Sequence, residues 1–318
     1  MHKNKLKILI EVPTWLGDCV MATPAIENII KHYPDVKITI FGAYVSTAIF
    51  EDHPNVENII VDESKRSKVR FFWLYNEVKR LGDFDVVVSF RESFASKLFI
   101  FFAEAKRKAV YKRDKRIERH QVERYNDLIN TLFDFRSEAE DLKIYFEPFK
   151  YKKPTLGINP GASYGSAKRW YPEKFAEVAI ALSKDYDIII FGGPSEVDIA
   201  HDIEKELVKA KSCNYQNIAG KTNIKILCQK IGGLDLFITG DSGPMHVAAA
   251  FNVPTVAIFG PTKDKETSQW HNPRSIIVKR EMDCAPCMKR TCPLKHHECM
   301  KLIEVEDVLE AVSFIINP

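Results

Sequence analysis

Short apolar runs alternate with amphipathic segments along the whole chain, and this pattern predicts an α/β protein. In the first half, buried strands are predicted at KILIEV, VKITIFG, NIIV and DVVVSF, with helices around 22–33, 70–80, 93–103 and 121–134. The second half repeats the scheme, with strands at TLGINPG, DIIIFGG, DLFITG and TVAIFG and helices around 172–184, 195–210, 223–232, 244–251 and 305–316. Strands this continuously apolar indicate parallel sheets that are covered on both faces.

Prolines and lysines interrupt this pattern at FEPFKYKKPT, residues 146–155, and divide the chain in two. The 318 residues suffice for two domains of roughly 150 residues each. We therefore predict two Rossmann-like domains in series, 1–150 and 151–318, that face each other across a cleft. The last helix is a candidate to pack back onto the first domain. Ligands of such folds bind at the loops that follow the strands.

Composition excludes several classes of protein. With 45% hydrophobic residues, 28% charged residues and a net charge of +3, the chain reads as a soluble globular protein with no case for nucleic acid. No run approaches the roughly 18 apolar residues of a transmembrane helix, and the basic, then apolar N-terminus predicts a first strand and not a signal peptide. We expect a cytoplasmic protein. Seven cysteines without a signal argue against a secreted disulfide framework.

Charge is nevertheless concentrated in one segment. Residues 105–124 hold nine Lys or Arg and three Asp or Glu. Two interpretations stay open: a solvated helical face with its loops, or a patch for an anionic substrate or a membrane surface.

The loop after the first strand, PTWLGDCVMATPA, contains Gly17, which permits a tight turn, and Asp18 near a helix start. Asp18 could cap that helix or act as a general base at the edge of the cleft. The motif G-x-G-x-x-G is absent here, which argues against a dinucleotide-dependent dehydrogenase.

Two loops of the second half could bind a nucleotide. NPGASYGSAKRW, residues 159–170, offers glycines, Ser163 and Lys168 to phosphate oxygens, or it is an ordinary connection. FGGPSEVD, residues 191–198, places Glu196 at a helix start, where it could cap the helix or accept hydrogen bonds from ribose hydroxyls.

A third such loop, in ITGDSGPMHVAAAFNVPTVAIFGPT, brings Asp241, Ser242, Gly243 and His246 together at the start of a predicted helix. Helix N-termini attract anions through unpaired amides and the helix dipole, so a diphosphate could bind here. His246 alone would be read as a structural histidine. The group of loops after the strands favours a ligand-binding role.

A cysteine cluster lies near the C-terminus, CAPCMKRTCPLKHHEC, with the spacing C-x2-C-x4-C-x6-C and two internal histidines. A tetrahedral metal site is one interpretation. A reduced cluster that orders a loop near the cleft is favoured over it, and disulfides are disfavoured.

Three segments together resemble the ADP-heptose:lipopolysaccharide heptosyltransferases: PTWLGDCVMATPA, NPGASYGSAKRWYPEKFAEVA and GDSGPMHVAAAFNVPTVAIFGPT. The tail CAPCMKRTCPLKHHECM looks most like the heptosyltransferase II branch. The match spans about residues 8 to 312 in the right order, although roughly 40–140 carry no matching motif.

The resemblance implies a GT-B fold whose second domain binds ADP-heptose and whose first binds the lipid A–core acceptor, without a metal or other cofactor. Asp18 matches the family's proposed base, and Lys168 the lysine at the diphosphate. Glu196 matches the acidic residue at the ribose. The other positions implied for the donor are Ser163, Tyr164, Thr222, Asp241, Ser242, Gly243 and His246. Tyr164 departs from the family's small hydroxyl residue, and Thr222 falls near the adenine pocket.

The chemistry implied is inversion at the anomeric carbon. Asp18 would deprotonate the acceptor hydroxyl, while Lys168 and His246 stabilise the leaving ADP. The acceptor carries carboxylates and phosphates at the inner face of the membrane, so we assign it to the basic residues Lys112, Arg113, Lys115 and Arg116. We expect a monomer in peripheral contact with that membrane.

Three alternatives stay open. One is a heptosyltransferase of the same fold with another acceptor: type I-like, capsule or protein. Another is a nicotinamide-dependent dehydrogenase. The third is a non-catalytic module stabilised by zinc at the cysteine cluster.

Overall fold

The computed structural model describes residues 5–114, 116–161, 163–211 and 214–317. The first of two compact units spans Met1–Tyr145. Its strands are β1 (Lys7–Glu11), β2 (Lys37–Gly42), β3 (Val56–Val61), β4 (Asp83–Ser89) and β5 (Glu104–Val110), and its helices are α1 (Leu16–Met21), α2 (Thr23–His32), α3 (Tyr44–Thr47), α4 (Arg70–Arg80), α5 (Phe94–Phe102) and α6 (Gln121–Phe133).

The second unit spans Phe146–Pro318. Its strands are β6 (Thr155–Asn159), β7 (Asp187–Ile190), β8 (Tyr215–Asn217), β9 (Leu236–Gly240), β10 (Thr255–Ile258) and β11 (Ser275–Val278). Its helices are α7 (Pro172–Leu182), α8 (Val197–Ala210), α9 (Ile224–Gly232), α10 (Gly243–Ala250), α11 (Asp264–Thr267), α12 (Glu298–Lys301) and α13 (Val305–Ile316).

Each unit is built on one parallel sheet. The strand order is β3-β2-β1-β4-β5 in the first unit and β11-β10-β9-β6-β7-β8 in the second, and all observed pairs are parallel. The central strands are nearly fully buried because helices cover both faces of each sheet. The prediction of an α/β protein with two Rossmann-like parts is therefore confirmed.

The first strand of each unit lies in the middle of its sheet. The chain order reverses between β1 and β4 in the first unit, and between β6 and β9 in the second. Such a reversal leaves a crevice at the carboxyl ends of the two strands, where ligands of open α/β sheets bind.

The helices begin and end close to their predicted positions, but three strands were missed. These are β5, β8 and β11, and each lies at the edge of its sheet. Edge strands are covered less than central ones, so they carry polar residues, as in EAKRKAV of β5 and YQN of β8. The sequence pattern for a buried strand is therefore absent from β5 and β8, whereas β11, SIIV, carries an apolar pattern that the sequence analysis overlooked.

Along the chain, the boundary between the two compact units falls between residues 145 and 146. The sequence analysis places this boundary at residue 150. The intervening residues pack on α9: the Phe149 amide donates to the carbonyl of Gln229, and the Tyr151 hydroxyl donates to that of Lys230. The last helix belongs to the second unit, because the apolar side chains of α13 lie in that unit's core. No helix among the described residues is long and apolar enough to cross a bilayer.

Candidate active site

The crevice between β6 and β9 collects polar side chains at the point where the two strands end. Asn159 closes β6, and its side-chain amide donates to Ser242 Oγ at 3.1 Å and to Thr239 Oγ1 at 3.3 Å. Asn159 and Thr239 are fully buried. Because buried polar groups are costly unless they are paired, this network fixes the two loops relative to each other.

Lys168 and Asp241 form a buried ion pair across this crevice. Lys168 Nζ lies 2.6 Å from Asp241 Oδ2 and also donates to the Asp241 carbonyl at 3.1 Å. The Thr262 hydroxyl donates to the same carboxylate oxygen at 2.6 Å. The side chains of Lys168 and Asp241 are only 13% and 6% exposed. The ammonium group is therefore held at the carboxyl edge of the sheet, beside the start of α10.

The start of α10 offers the Gly243 amide next to this lysine, because Pro244 has no N–H and the Met245 amide donates to the Ser242 carbonyl. Ser242 is the N-cap residue, but its side chain makes no capping bond and instead contacts Asn159 and Thr239. Gly243 is the first residue of the helix, and His246 lies one turn further on and is buried. A helix N-terminus without a side-chain cap attracts an anion.

Glu196 connects the loops after β6 and β7. Its carboxylate accepts hydrogen bonds from the Gly193 amide at 2.7 Å and from the Ser163 hydroxyl at 3.4 Å. A Cβ atom on Gly161 would lie 2.1 Å from Glu196 Cδ, so glycine is needed for this close approach. Glu196 thus caps the short turn Pro194–Glu196, whereas as the N-cap residue of α8 it makes no side-chain bond to that helix, and it also faces the loop after β6.

Thr222 lies in a loop beside the Glu196 turn. The Gly220 amide donates to the carbonyl of Gly192 at 2.9 Å, which holds the two loops together. Thr222 is half-buried and directly precedes Asn223, whose side chain caps α9. The predicted donor residues therefore come from loops on one edge of one sheet.

The cysteine segment packs against the loop after β6. The Ala167 amide donates to the Arg290 carbonyl at 3.0 Å, the Tyr164 hydroxyl donates to the Met288 carbonyl at 2.9 Å, and His297 Nε2 lies 2.9 Å from the Ala167 carbonyl. Tyr164 is thus engaged with this segment, while Lys168 Nζ lies 4.9 Å from the centre of its ring. These contacts order the loop that carries Lys168.

The cysteines of this segment surround a cavity of about 20 Å³ together with two histidines. All six described cysteines are free thiols. Burial raises the pKa of Cys299 to about 11, which keeps that thiol protonated at neutral pH. Across the described part of the chain, no three His, Cys, Asp or Glu side chains are arranged to hold a metal ion.

Asp18 lies in the first turn of α1, in the first unit, and is half-buried. Trp15 occupies the N-cap position, and Asp18 lies three residues further on. Burial, and to a smaller degree the Asp18 carboxylate, raise the pKa of Tyr125. The carboxylate therefore lies near a phenol that stays protonated.

The basic loop after β5 is partly neutralised by its own acidic residues. Arg116 pairs with Asp114 at 2.7 Å, and this guanidinium holds the pKa of Asp114 below its usual range. Arg119 pairs with Glu123 and Asp127. Lys112 is exposed and lines a cavity of about 290 Å³, Arg113 is half-buried, and Lys115 lies outside the described residues.

A second buried ion pair, between Glu11 and Arg91, was missed by the sequence analysis. Arg91 Nη1 lies 2.9 Å from Glu11 Oε1, and the Ser89 hydroxyl donates to the other carboxylate oxygen. Burial raises the pKa of Glu11, and Arg91 counteracts that shift. The signal for it was a glutamate at the end of the buried run KILIEV.

Comparison with known proteins gives consistent matches. The family model of glycosyltransferase family 9 (heptosyltransferase) matches residues 78–298. The chain is 42% identical to lipooligosaccharide heptosyltransferase 2 of Campylobacter jejuni subsp. jejuni serotype O:2, covering 98% of this chain and 99% of that protein.

Two solved structures share the fold over nearly the whole chain. The glycosyl transferase family 9 protein of Veillonella parvula is 22% identical, with a TM-score of 0.84 and coverage of 99% of this chain and 98% of that one. The ADP-heptose lps heptosyltransferase II of E. coli is 23% identical, with a TM-score of 0.80 and 98% coverage of both chains.

Proposed function

Because this chain belongs to glycosyltransferase family 9, the heptosyltransferases, we propose that it transfers heptose from ADP-L-glycero-D-manno-heptose to the heptosyl-Kdo-lipid A inner core of lipopolysaccharide or lipooligosaccharide. The relatives named heptosyltransferase 2 support this choice of acceptor. Family membership also removes the dehydrogenase and the non-catalytic zinc module as candidates.

One observation supports the donor site above all others. Lys168 and the start of α10 lie together at the crevice between β6 and β9. An ammonium group beside the first amide of a helix is suited to a diphosphate. In the proposed complex Lys168 contacts both the diphosphate and Asp241. His246, in the first turn of α10, also contacts the diphosphate.

The nucleoside is assigned to the neighbouring loops of the same edge. Glu196 accepts hydrogen bonds from the ribose hydroxyls, and Thr222 lines the adenine pocket. Ser163 and Tyr164 complete the donor loop, although the present contact of Tyr164 with Met288 gives it a supporting role. The cysteine segment holds this loop in place through Ala167 and His297.

The reaction then follows from the charges. Asp18 removes the proton of the acceptor hydroxyl as that oxygen attacks the anomeric carbon from the face opposite ADP, which inverts the configuration. The bond from the anomeric carbon to the diphosphate oxygen breaks, and its electron pair leaves with ADP. Lys168 and the N-terminus of α10 stabilise the developing negative charge. We propose that this stabilisation needs no metal ion and that the enzyme uses no cofactor.

The acceptor is assigned to the first unit. Its carboxylates and phosphates would be attracted by Lys112, Arg113, Lys115 and Arg116. Since that acceptor is a membrane lipid, we place the enzyme at the cytoplasmic face of the inner membrane, in peripheral contact with it and as a monomer. A heptosyltransferase with another acceptor (type I-like, capsule or protein) remains the second candidate.

A transfer assay tests the proposal. The protein is mixed with ADP-heptose, in EDTA, and with either Kdo-lipid A or heptosyl-Kdo-lipid A, and ADP release and acceptor mass are followed. We expect the second acceptor alone to gain one heptose. Transfer to Kdo-lipid A alone would indicate the type I reaction. Binding of ADP-heptose without transfer to either acceptor would agree with the proposed donor site but contradict the proposed acceptor. Activity that EDTA abolishes would contradict the metal-free mechanism.

A further inference from the structure

An exposed aromatic surface on α4 and α5 has no part in the proposed reaction. We call it the aromatic surface; its residues are Val69, Phe71, Phe72, Tyr75, Phe94 and Phe101. Phe94 and Phe101 are each 76% exposed, and Phe72 is 61% exposed. Large apolar patches on a protein surface mark interaction sites, because their contact with water is unfavourable.

Ring contacts make this surface continuous from one helix to the other. The Phe102 ring lies 5.0 Å from that of Phe71 and 5.2 Å from that of Tyr75, both on α4, and 5.7 Å from that of Phe101. Phe94 and Phe101 are seven residues apart on α5 and therefore lie on one face of that helix.

The core of the first unit does not account for these side chains. α5 reads FASKLFIFF, and its Phe99 and Ile100 already fill the core on the inner face. The outer face is thus apolar and largely exposed. A helix that is apolar on both faces has a second apolar environment to contact.

The charges around the surface indicate which environment that is. Segments 64–76 and 93–103 contain no Asp or Glu, and their basic residues are Lys65, Arg66, Lys68, Arg70 and Lys97. All five of these side chains are exposed. Aromatic rings flanked by Lys and Arg suit the boundary of an anionic bilayer, where the rings enter the headgroup region and the cations meet lipid phosphates.

We propose that the aromatic surface docks the enzyme on an anionic lipid bilayer. The inference rests on the proposed function, because the acceptor lipid would lie in that bilayer. Docking through α4 and α5 separates membrane contact from the basic loop after β5, which the proposed function reserves for the acceptor.

Sedimentation of the full-length protein with phosphatidylglycerol vesicles and with phosphatidylcholine vesicles tests this docking. We expect binding to the anionic vesicles and weak binding to the zwitterionic ones. The variant Phe72→Ser/Phe101→Ser should lose at least about tenfold in vesicle affinity, since two aromatic side chains no longer leave water. The matched control is Val208→Ser/Phe314→Ser, which removes two exposed apolar side chains of the second unit and should bind as the unchanged protein does.

The outcomes separate the docking proposal from the proposed function. Transfer to a deacylated, water-soluble acceptor reports on the reaction alone, and the Phe72→Ser/Phe101→Ser variant should retain it. Equal vesicle binding by this variant and the unchanged protein would overturn the docking proposal. Equal binding to both kinds of vesicle would overturn the role of the basic residues. If the unchanged protein forms a dimer and this variant does not, the docking proposal would be overturned, and the aromatic surface would instead bind a second copy of the chain.

Discussion

Each unit buries one ion pair at the carboxyl edge of its central strands. In the first unit Arg91 lies 2.9 Å from Glu11, and in the second Lys168 lies 2.6 Å from Asp241. The side chains are buried to nearly the same extent, at 14% and 3% exposure in the first pair and 13% and 6% in the second.

The surroundings of the two pairs differ. Glu11 accepts a hydrogen bond from Ser89 and pairs with Arg91, so both of its carboxylate oxygens have partners within its own unit. Lys168 instead lies beside the glycine-containing loop and the start of α10. Two buried pairs of similar geometry thus differ in their surroundings, and in the proposed function only the second exchanges part of its pairing for a ligand.

The largest expected effect is a loss of turnover on replacing Asp18, which should not occur on replacing Glu11, the buried carboxylate of the same unit. Asp18→Asn should lower kcat by about 10²–10⁴-fold, because the amide cannot accept the proton of the acceptor hydroxyl. Glu11→Gln is the matched control and should retain activity, since Glu11 is assigned a structural role. Transfer kinetics with saturating ADP-heptose measure both variants. Equal losses in the two would contradict the assignment of the base.

Breaking the pair of the second unit should affect turnover. Lys168→Gln is expected to lower kcat/KM by about 10²–10³-fold, because the charge opposite the leaving diphosphate is lost. Lys205→Gln, which removes a lysine paired with Asp202 on the surface of α8, is the control. Unchanged kinetics of Lys168→Gln would refute the proposed diphosphate site.

Breaking the pair of the first unit should affect stability. Arg91→Met is expected to destabilise the protein by about 3–5 kcal/mol at pH 7, because a buried carboxylate loses its cation. Burial already raises the pKa of Glu11 above its unfolded value, and the loss of Arg91 raises it further. A raised carboxyl pKa favours the folded state at low pH, so the deficit should shrink as the pH falls from 7 towards 4.5. Urea unfolding at several pH values measures this, and a pH-independent deficit would contradict it.

The close approach of the donor loop to Glu196 predicts a smaller effect. Gly161→Ala should raise the KM for ADP-heptose about tenfold, a cost of about 1.4 kcal/mol, since the new Cβ atom displaces the Glu196 carboxylate. Gly193→Ala is the control on the same turn, because its Cβ atom would meet nothing closer than 3.5 Å. Steady-state kinetics with varied donor distinguish the two, and an equal KM in both would show that the contact is unimportant.

The smallest effects are expected in the basic loop of the first unit. Replacing Lys112, Arg113, Lys115 and Arg116 by Ser should raise the acceptor KM by about tenfold and reduce its dependence on salt. Because Arg116 is paired with Asp114, Lys112→Ser should account for more of this increase than Arg116→Ser. An acceptor KM that does not change in the combined variant would remove this loop from the acceptor site.

The loops at the carboxyl edge of the second sheet could be predicted from the sequence because their parts leave local signals. Glycines, Ser163 and Asp241 directly follow apolar strands, and parallel strands place all such loops on one edge. The partner of each side chain was not predictable. The Lys168–Asp241 pair joins residues 73 positions apart, and only the strand order brings them together.

The first unit shows why the remainder could not be predicted. Lys and Arg in segment 105–124 count as charge in the sequence, but the structure pairs Arg116 and Arg119 with nearby carboxylates. The Glu11–Arg91 pair depends on β1 lying beside β4, a neighbour relation between distant segments. The outer face of α5 looks like core in the sequence because apolar content does not tell which side of a helix is covered.

A crystal structure of the protein with ADP tests the central claim most directly, because it shows which of the two edges binds the diphosphate. The account predicts phosphate oxygens within hydrogen-bond distance of Lys168 Nζ and of the Gly243 amide, with the ribose at Glu196. ADP bound instead at the carboxyl edge of β1 and β4, against Arg91, would contradict it.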